Sequence, residues 1–249
     1  MTLMKPDARE PGQRDSYLPK WEPERFIVPL LAKRIAEVFG QYGNPPCPGA
    51  QALDAGCGMQ PFREMLMDAG YRYVSLDAIQ NRAGTVDIVT PLDEPLPAGA
   101  AERGPFDFIL CTEVLEHVAD WNTAFANFSR LLAPNGRILI TCPHFYPLHE
   151  TPYDFWRPTP YAVGNFAKKH GLTVVAVEQT GGPWEVLGTL LAESHAYPAG
   201  PRFKDRLLAK IFRMWRDFGY RVLKSPAWRS RVDLKGPYFL SVIAVLGKE

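Results

Sequence analysis

Two stretches of this chain hold residue types that can do chemistry. The first is Leu53-Asp54-Ala55-Gly56-Cys57-Gly58, where an apolar run ends in a carboxylate and two glycines one residue apart. Glycines at such a turn permit positive φ and let the backbone approach a ligand closely. The second runs from Pro143 to Thr159, has neither helical nor strand period, and concentrates His144, His149, Tyr153, Asp154, Trp156 and Arg157. Either histidine can take a proton near neutral pH, so His144 and His149 are candidate general bases. Asp154 and Arg157 can orient polar groups of an acceptor, with the aromatic rings of Tyr153 and Trp156 covering an apolar or sugar face. Equally, Asp154 and Arg157 can pair with each other and staple the loop, with Trp156 in the core.

The elements that must position these residues follow from periodicity. After the glycines, Phe62, Met65, Leu66 and Ala69 recur at helical spacing, so the first stretch reads as strand, tight turn, helix. Ligands of open α/β sheets sit at the carboxyl ends of the strands, which makes this turn a small-molecule site. A dinucleotide fingerprint needs a third glycine where Phe62 follows Pro61 here, and Asp54 at the strand end meets an ammonium or hydroxyl better than a phosphate. The segment from Tyr71 ends in Asp77, a carboxylate about twenty residues past the glycines and suited to the two hydroxyls of a ribose.

Further strands are expected at Val86–Val89, Phe106–Cys111, Arg137–Cys142, Leu172–Glu178 and Tyr238–Leu246, with an amphipathic helix from Trp121 to Leu132 and another beginning at Thr159-Pro160. Helices are also expected over Pro23–Tyr42, laid against the sheet, and at two places between Gly181 and Pro237. The fold class is therefore α/β, a Rossmann-like, mostly parallel sheet of seven strands with helices on both faces and a helical insertion, residues 181–237, between strands six and seven. At 249 residues and 46% hydrophobic content the chain can bury one sizeable core, so residues 23–249 read as a single domain behind a mobile arm, residues 1–22, rich in Pro, Gly and charge.

A net charge of +1 speaks against nucleic acid as partner. The four cysteines are scattered and never form Cys-x-x-Cys, so no zinc site, no other metal site and no disulfide framework is expected, and a reducing cytoplasm suits the chain. No apolar run of about eighteen residues is present to span a membrane, and the N-terminus is charged, unlike a signal peptide.

Leu53-Asp54-Ala55-Gly56-Cys57-Gly58 resembles the first motif of class I S-adenosylmethionine-dependent methyltransferases. Thr112-Glu113-Val114-Leu115-Glu116-His117-Val118 resembles the Glu-Val-Leu-Glu-His signature of a small-molecule branch of that family, and Leu131-Leu132-x-Pro-x-Gly is another feature of the branch. The resemblance implies S-adenosylmethionine as cofactor, held by Asp54, Gly56, Cys57, Gly58, Asp77, Ala78, Leu92, Thr112 and Glu113. Thr112 and Glu113 would flank its methionine part, while Glu116 and His117 would brace the following turn. The adenine-binding acidic place of the family falls on Pro91, a departure for which Asp93 or a backbone carbonyl would have to substitute. A leading helix in this family often lids the cofactor, which would bring Tyr17, Trp21 and Arg25 to it; surface packing alone is the other reading.

The pattern from His149 to Thr159 is similar to methyltransferases of polysaccharide and glycan biosynthesis. The expected function is O-methylation of a small-molecule or glycan hydroxyl, with His144 or His149 as base and Tyr153, Asp154, Trp156 and Arg157 as acceptor ligands. N-methylation and a non-catalytic cofactor-binding module are the alternatives. Between Arg202 and Arg231 ten Lys or Arg residues face only Asp205 and Asp217, a basic amphipathic segment that reads either as a peripheral membrane contact or as a cap on the sheet or homodimer interface.

Overall fold

The computed structural model describes residues 16–248 of the chain. Its frame is one sheet of seven strands in the order β3-β2-β1-β4-β5-β7-β6. The strands are β1 (Gln51–Ala55), β2 (Arg72–Asp77), β3 (Ile88–Val89), β4 (Phe106–Thr112), β5 (Leu132–Pro143), β6 (Thr173–Thr180) and β7 (Ser241–Gly247). Neighbours from β3 to β5 pair in parallel, and β7 runs antiparallel to both β5 and β6. After β1 the chain builds outward through β2 and β3, then returns to lay β4 on the other side of β1. The carboxyl ends of β1 and β4 thus flank the switch in strand order, where open α/β sheets hold ligands.

Alternation of side chains along the strands explains why both faces are covered. Leu53, Ile109, Cys111, Ile138 and Ile140 face one apolar cluster, completed by Trp121, Phe125 and Phe128 of α4 (Trp121–Leu131), Val163 and Ala167 of α5 (Pro160–Lys169) and Ala100 of α3 (Ala98–Glu102), while Leu66 of α2 (Arg63–Asp68) packs on the opposite face. Ala52, Phe108, Leu110 and Leu139 face the other cluster, built on Phe26, Leu31 and Ile35 of α1 (Glu24–Tyr42) and on Trp184 and Val186 of α6 (Pro183–Glu193). Burying each large side chain contributes about 1.5–3 kcal/mol, so Phe125 and Phe128, fully buried on α4, tie that helix to the sheet.

Local signals set the helix starts. Asp120 caps α4 by accepting from the Asn122 N–H at 2.9 Å, and Thr159 caps α5 with Pro160 in its first turn. The insertion between β6 and β7 holds α6, α7 (Phe203–Lys224) and α8 (Pro226–Arg229).

Several boundaries differ from the expected ones, each for a local reason. β3 shrinks to two residues because the Val86 N–H is taken by the Gln80 side chain at 2.9 Å and the Asp87 N–H by Ser75 Oγ at 2.9 Å. β7 begins at Ser241 because the Leu240 N–H is drawn to the Thr180 and Gly181 carbonyls, each at 3.0 Å. β7 lies inside the sheet, between β5 and β6, and β6 forms the edge.

Of the arm expected over residues 1–22, residues 1–15 lie outside the described residues. Tyr17 packs its ring on Phe62 at 4.6 Å between centroids, which brings the chain ahead of α1 over the end of β1.

Candidate active site

The turn after β1 is built by its glycines. Gly56 has φ +78° and its N–H, with that of Cys57, donates to the Leu76 carbonyl at 2.7 and 3.1 Å. A Cβ placed on Gly56 would lie 2.3 Å from a Val114 methyl carbon, so any side chain there collides with the loop after β4. Gly58, at φ +51°, donates its N–H to Asp77 Oδ2 at 2.8 Å, and the Ile79 N–H donates to the other oxygen at 3.3 Å. Burial raises the Asp77 carboxyl above its ordinary range while these N–H groups oppose the rise. Asp54 is buried and accepts from the Tyr73 hydroxyl at 2.8 Å; burial nevertheless pushes its carboxyl up to about 7.

A cavity of about 540 Å³ opens above this turn. Asp54, Gly56, Cys57, Gly58, Thr112 and Glu113 line its floor, and Tyr17, Trp21, Glu24, Ile27, Val28 and Leu31 line the side formed by α1 and the segment before it. Asp77, bonded to the Gly58 N–H at the end of β2, and Ala78, which follows it, do not themselves line the cavity. Two further expected contacts fall elsewhere. Leu92 is buried in the core, where its carbonyl accepts from Asn127 Nδ2 at 2.8 Å, and it does not line the cavity. Arg25 pairs with Glu22 at 3.0 Å rather than turning to the cavity.

The loop after β5 separates the two histidines. His149 lines the cavity with Glu116, His117, Tyr146 and Glu150. His144 instead stacks on Phe239 at 4.1 Å between centroids, sets its Nδ1 3.0 Å from the Pro158 carbonyl, and lines a second cavity of about 300 Å³ with Thr189 and Leu190. The expectation that either could act as base is thereby corrected for His144, which Phe239 and Pro158 hold outside the lining of the cavity above the glycine turn.

The expected acceptor ligands are also turned to another use. Arg157 Nη1 and Nη2 meet the two oxygens of Asp154 at 2.6 and 2.7 Å, and the Asp154 side chain is fully buried. Burial opposes the charge, but hydrogen bonds from Arg157 and from the His149 N–H hold the Asp154 carboxyl below its ordinary value. Trp156 donates its indole N–H to the Val118 carbonyl at 2.9 Å and packs on Trp121, while the Tyr153 carbonyl faces His117 Nδ1 at 2.8 Å. None of the four lines the cavity. Opposite charges three residues apart in a loop pair with each other before they can pair with a ligand, and here they staple it.

That stapling aims two imidazoles at one buried carboxylate. His117 Nδ1 faces the Tyr153 carbonyl, and His149 Nδ1 lies 3.2 Å from the Pro147 carbonyl, so in each neutral ring Nδ1 carries the proton and Nε2 the lone pair. The two Nε2 atoms lie 3.8 and 3.9 Å from Glu116 Oε1, a fully buried oxygen without a hydrogen-bond partner. Burial, and after it the nearby Glu113, raises the Glu116 carboxyl well above its ordinary value. Burial, then the neighbouring His117, lowers the His149 imidazole. Sequence reasoning assigned Glu116 and His117 only a bracing role and found no metal-ligand cluster; among the described residues Glu116, His117 and His149 each bring a ligand-type atom within 4.8 Å of the others. They come from two loops more than thirty residues apart in sequence, so spacing alone does not signal the group.

Residues 25–178 match a family described as the methyltransferase domain, more than half of the chain. The chain belongs to the class I S-adenosylmethionine-dependent methyltransferases. Within that family it is similar to a ubiquinone biosynthesis O-methyltransferase of Maricaulis maris (strain MCS10), 29% identical over 138 residues, covering 48% of this chain and 54% of the relative. A second such enzyme, from Caulobacter sp. (strain K31), is 32% identical over 141 residues, covering 48% and 56%. The chain spans about half the length of the curated relatives it matches.

Solved methyltransferases share the fold. A putative sarcosine dimethylglycine methyltransferase from Galdieria sulphuraria superposes with a TM-score of 0.54 at 16% identity, covering 96% of this chain and 94% of that one. A geranyl diphosphate methyltransferase superposes at 0.52 with 15% identity, covering 91% and 82%. The cavity of this methyltransferase fits its cofactor by its own geometry. The Gly56 cradle excludes a side chain, the buried Asp54 and half-buried Asp77 carboxyl groups at the ends of β1 and β2 offer acceptors to ammonium and hydroxyl groups, and the volume is that of a small-molecule site.

Proposed function

We propose that this methyltransferase O-methylates a small-molecule hydroxyl, with residues 23–249 acting as one catalytic unit. The observation that carries the reading is the His149 imidazole in the cavity wall, its Nε2 lone pair free for an acceptor proton. Asp54, Gly56, Cys57, Gly58, Thr112 and Glu113 hold S-adenosylmethionine, with Asp77 and Ala78 at the ribose. When bound, this cofactor supplies an electrophilic methyl group, so the chain has only to align an acceptor and remove its proton.

His149 performs the second task. Its lowered pKa keeps the imidazole neutral at physiological pH, ready to take the hydroxyl proton on Nε2. The imidazolium so formed has Asp154 Oδ2 3.3 Å from Nδ1 and Glu116 Oε1 on its other side. Tyr146, which stands edge-on to the His149 ring at 5.3 Å, and Glu150 complete the acceptor side. The names of the curated relatives, O-methyltransferases of ubiquinone biosynthesis, support oxygen as the methylated atom. A glycan acceptor loses support, since Asp154 and Arg157 are spent on each other.

The deciding experiment offers cell extracts with methyl-labelled cofactor and identifies the product by mass analysis. Label on an oxygen of a small molecule is expected. Label on nitrogen or carbon overturns the O-methyl reading, and cofactor binding without turnover on any acceptor supports a non-catalytic module.

A further inference from the structure

The insertion between β6 and β7 presents an apolar surface that none of the described residues covers. On α7 only Ala209 is buried, while Tyr220 and Leu223 turn toward α1 and Trp184. The opposite side of the helix carries Leu207, Ile211, Met214 and Phe218 in one stripe at helical spacing, widened by Leu208 and Trp215. Leu208, Met214, Trp215 and Phe218 are each 60–66% exposed. A stripe of this size facing outward is not the cap on the sheet that the sequence allowed.

Charge selects the occupant. The helix holds seven basic residues against Asp205 and Asp217, in a chain of net charge +1. Asp217 is already paired with Arg216 at 2.5 Å. Arg206, Lys210 and Arg221 are exposed and lie along one border of the apolar stripe, while Arg213 beside them donates to the Ala196 carbonyl at 3.3 Å. A two-fold contact with a second copy would set this basic border against itself with no acidic border to answer it. Residues 1–15 hold Lys5, Arg9 and Arg14 against Asp7, Glu10 and Asp15, and so bring no net negative charge to it. An apolar stripe with a cationic border is the pattern of a helix lying in the plane of an anionic lipid surface, rings among the acyl chains and bases among the headgroups. No helix among the described residues is long and apolar enough to cross a membrane, so the contact is peripheral.

We infer that α7 docks this methyltransferase on anionic lipid bilayers through its Leu207–Phe218 stripe and its basic border. The inference stands on α7 alone and does not depend on the acceptor. Its test is flotation of the full chain with vesicles of phosphatidylcholine containing phosphatidylglycerol, against vesicles of phosphatidylcholine alone, at ~20 mM and ~500 mM salt. Flotation is expected with the anionic vesicles at low salt and should weaken at high salt. Trp215→Asp/Phe218→Asp and, separately, Arg206→Glu/Lys210→Glu should each lower the floated fraction at least ~10-fold.

Calorimetric binding of S-adenosylhomocysteine, measured on every variant, reports whether the domain remains folded, and its absence from the wild-type protein would count against the cofactor reading rather than the membrane one. Wild-type protein that stays soluble with anionic vesicles at low salt overturns the proposal. So does a dimer seen by light scattering that dissociates in Trp215→Asp/Phe218→Asp while flotation is unaffected, which would assign the stripe to a second copy.

Discussion

His149 Nε2 lies 3.9 Å from Oε1 of Glu116, a buried oxygen in the cavity wall left without a hydrogen-bond partner. A general base in such a place contributes roughly 10²–10⁴-fold to rate. His149→Ala should lower kcat by that order with cofactor affinity little changed, whereas His144→Ala, outside the lining of the cavity, should leave kcat within about threefold, well short of that loss. Steady-state rates of both variants check this. The same assay after chelation is informative: activity lost to a chelator and restored by a divalent cation would move the Glu116, His117 and His149 group from proton transfer to metal binding.

The pH dependence has a definite sign. The His149 imidazole is lowered in the folded protein, so the active neutral form persists below the ordinary histidine range, and the rate should fall only on the acid side of about 6.5. In stability the unfolded chain binds this proton more readily than the folded one, so His149 costs stability as pH falls below its unfolded pKa. A pH–rate profile whose acid limb lies above the ordinary histidine pKa would overturn the assignment.

Asp54 carries the opposite sign. Its carboxyl is raised to about 7 when folded, so the folded state holds a proton that the unfolded state has released, and stability without cofactor should decline as pH rises from about 4 to about 7. Asp54→Asn retains an oxygen for the Tyr73 hydroxyl and removes the buried charge. It should stabilise the cofactor-free protein at pH ~8 by on the order of 2–4 kcal/mol, yet weaken S-adenosylmethionine. Thermal melts across pH, paired with calorimetry, separate the two effects.

The glycine cradle has no tolerance. Gly56→Val forces a branched side chain onto φ +78° and into Val114, and should abolish cofactor binding. Asp77→Ala should weaken it by about 1–3 kcal/mol, the scale for leaving hydrogen-bonded groups unpaired. Titration calorimetry reads both, and near-wild-type affinity in Gly56→Val would remove the cofactor from this turn.

Asp154 and Arg157 act as one unit. Removing either partner leaves the other charge uncompensated, most severely when buried Asp154 is the one left, so Arg157→Ala should cost about 3–5 kcal/mol of stability. The Asp154→Ala/Arg157→Ala double variant should cost less than the sum of the single changes. Denaturant unfolding of the four proteins completes the cycle. Unchanged stability with a raised acceptor KM would return the pair to the role of acceptor ligands.

The strands, the class of the sheet and the glycine turn were legible in the sequence, because those features are local. Apolar runs mark β1 and β4, the Gly56 and Gly58 pair marks the turn between strand and helix, and Thr159 with Pro160 marks a helix start through a hydrogen bond to the residue three positions on. The Leu207–Phe218 stripe and the basic excess of α7 were legible for the same reason, since a helix face is written at fixed spacing. Which way that face turns became visible only in the folded chain, because the partner of a helix is chosen by the packing of Ala209, Tyr220 and Leu223 against distant elements. The folded chain also shows which histidine reaches the cavity. His144 and His149 are five residues apart in a loop without period, and their fates depend on Phe239, Pro158 and Glu116, contacts no local pattern encodes. The Asp154–Arg157 pair, left open between ligand and staple by sequence, became a staple because the loop folds back on itself and buries the carboxylate, where an unpaired charge would be prohibitively costly.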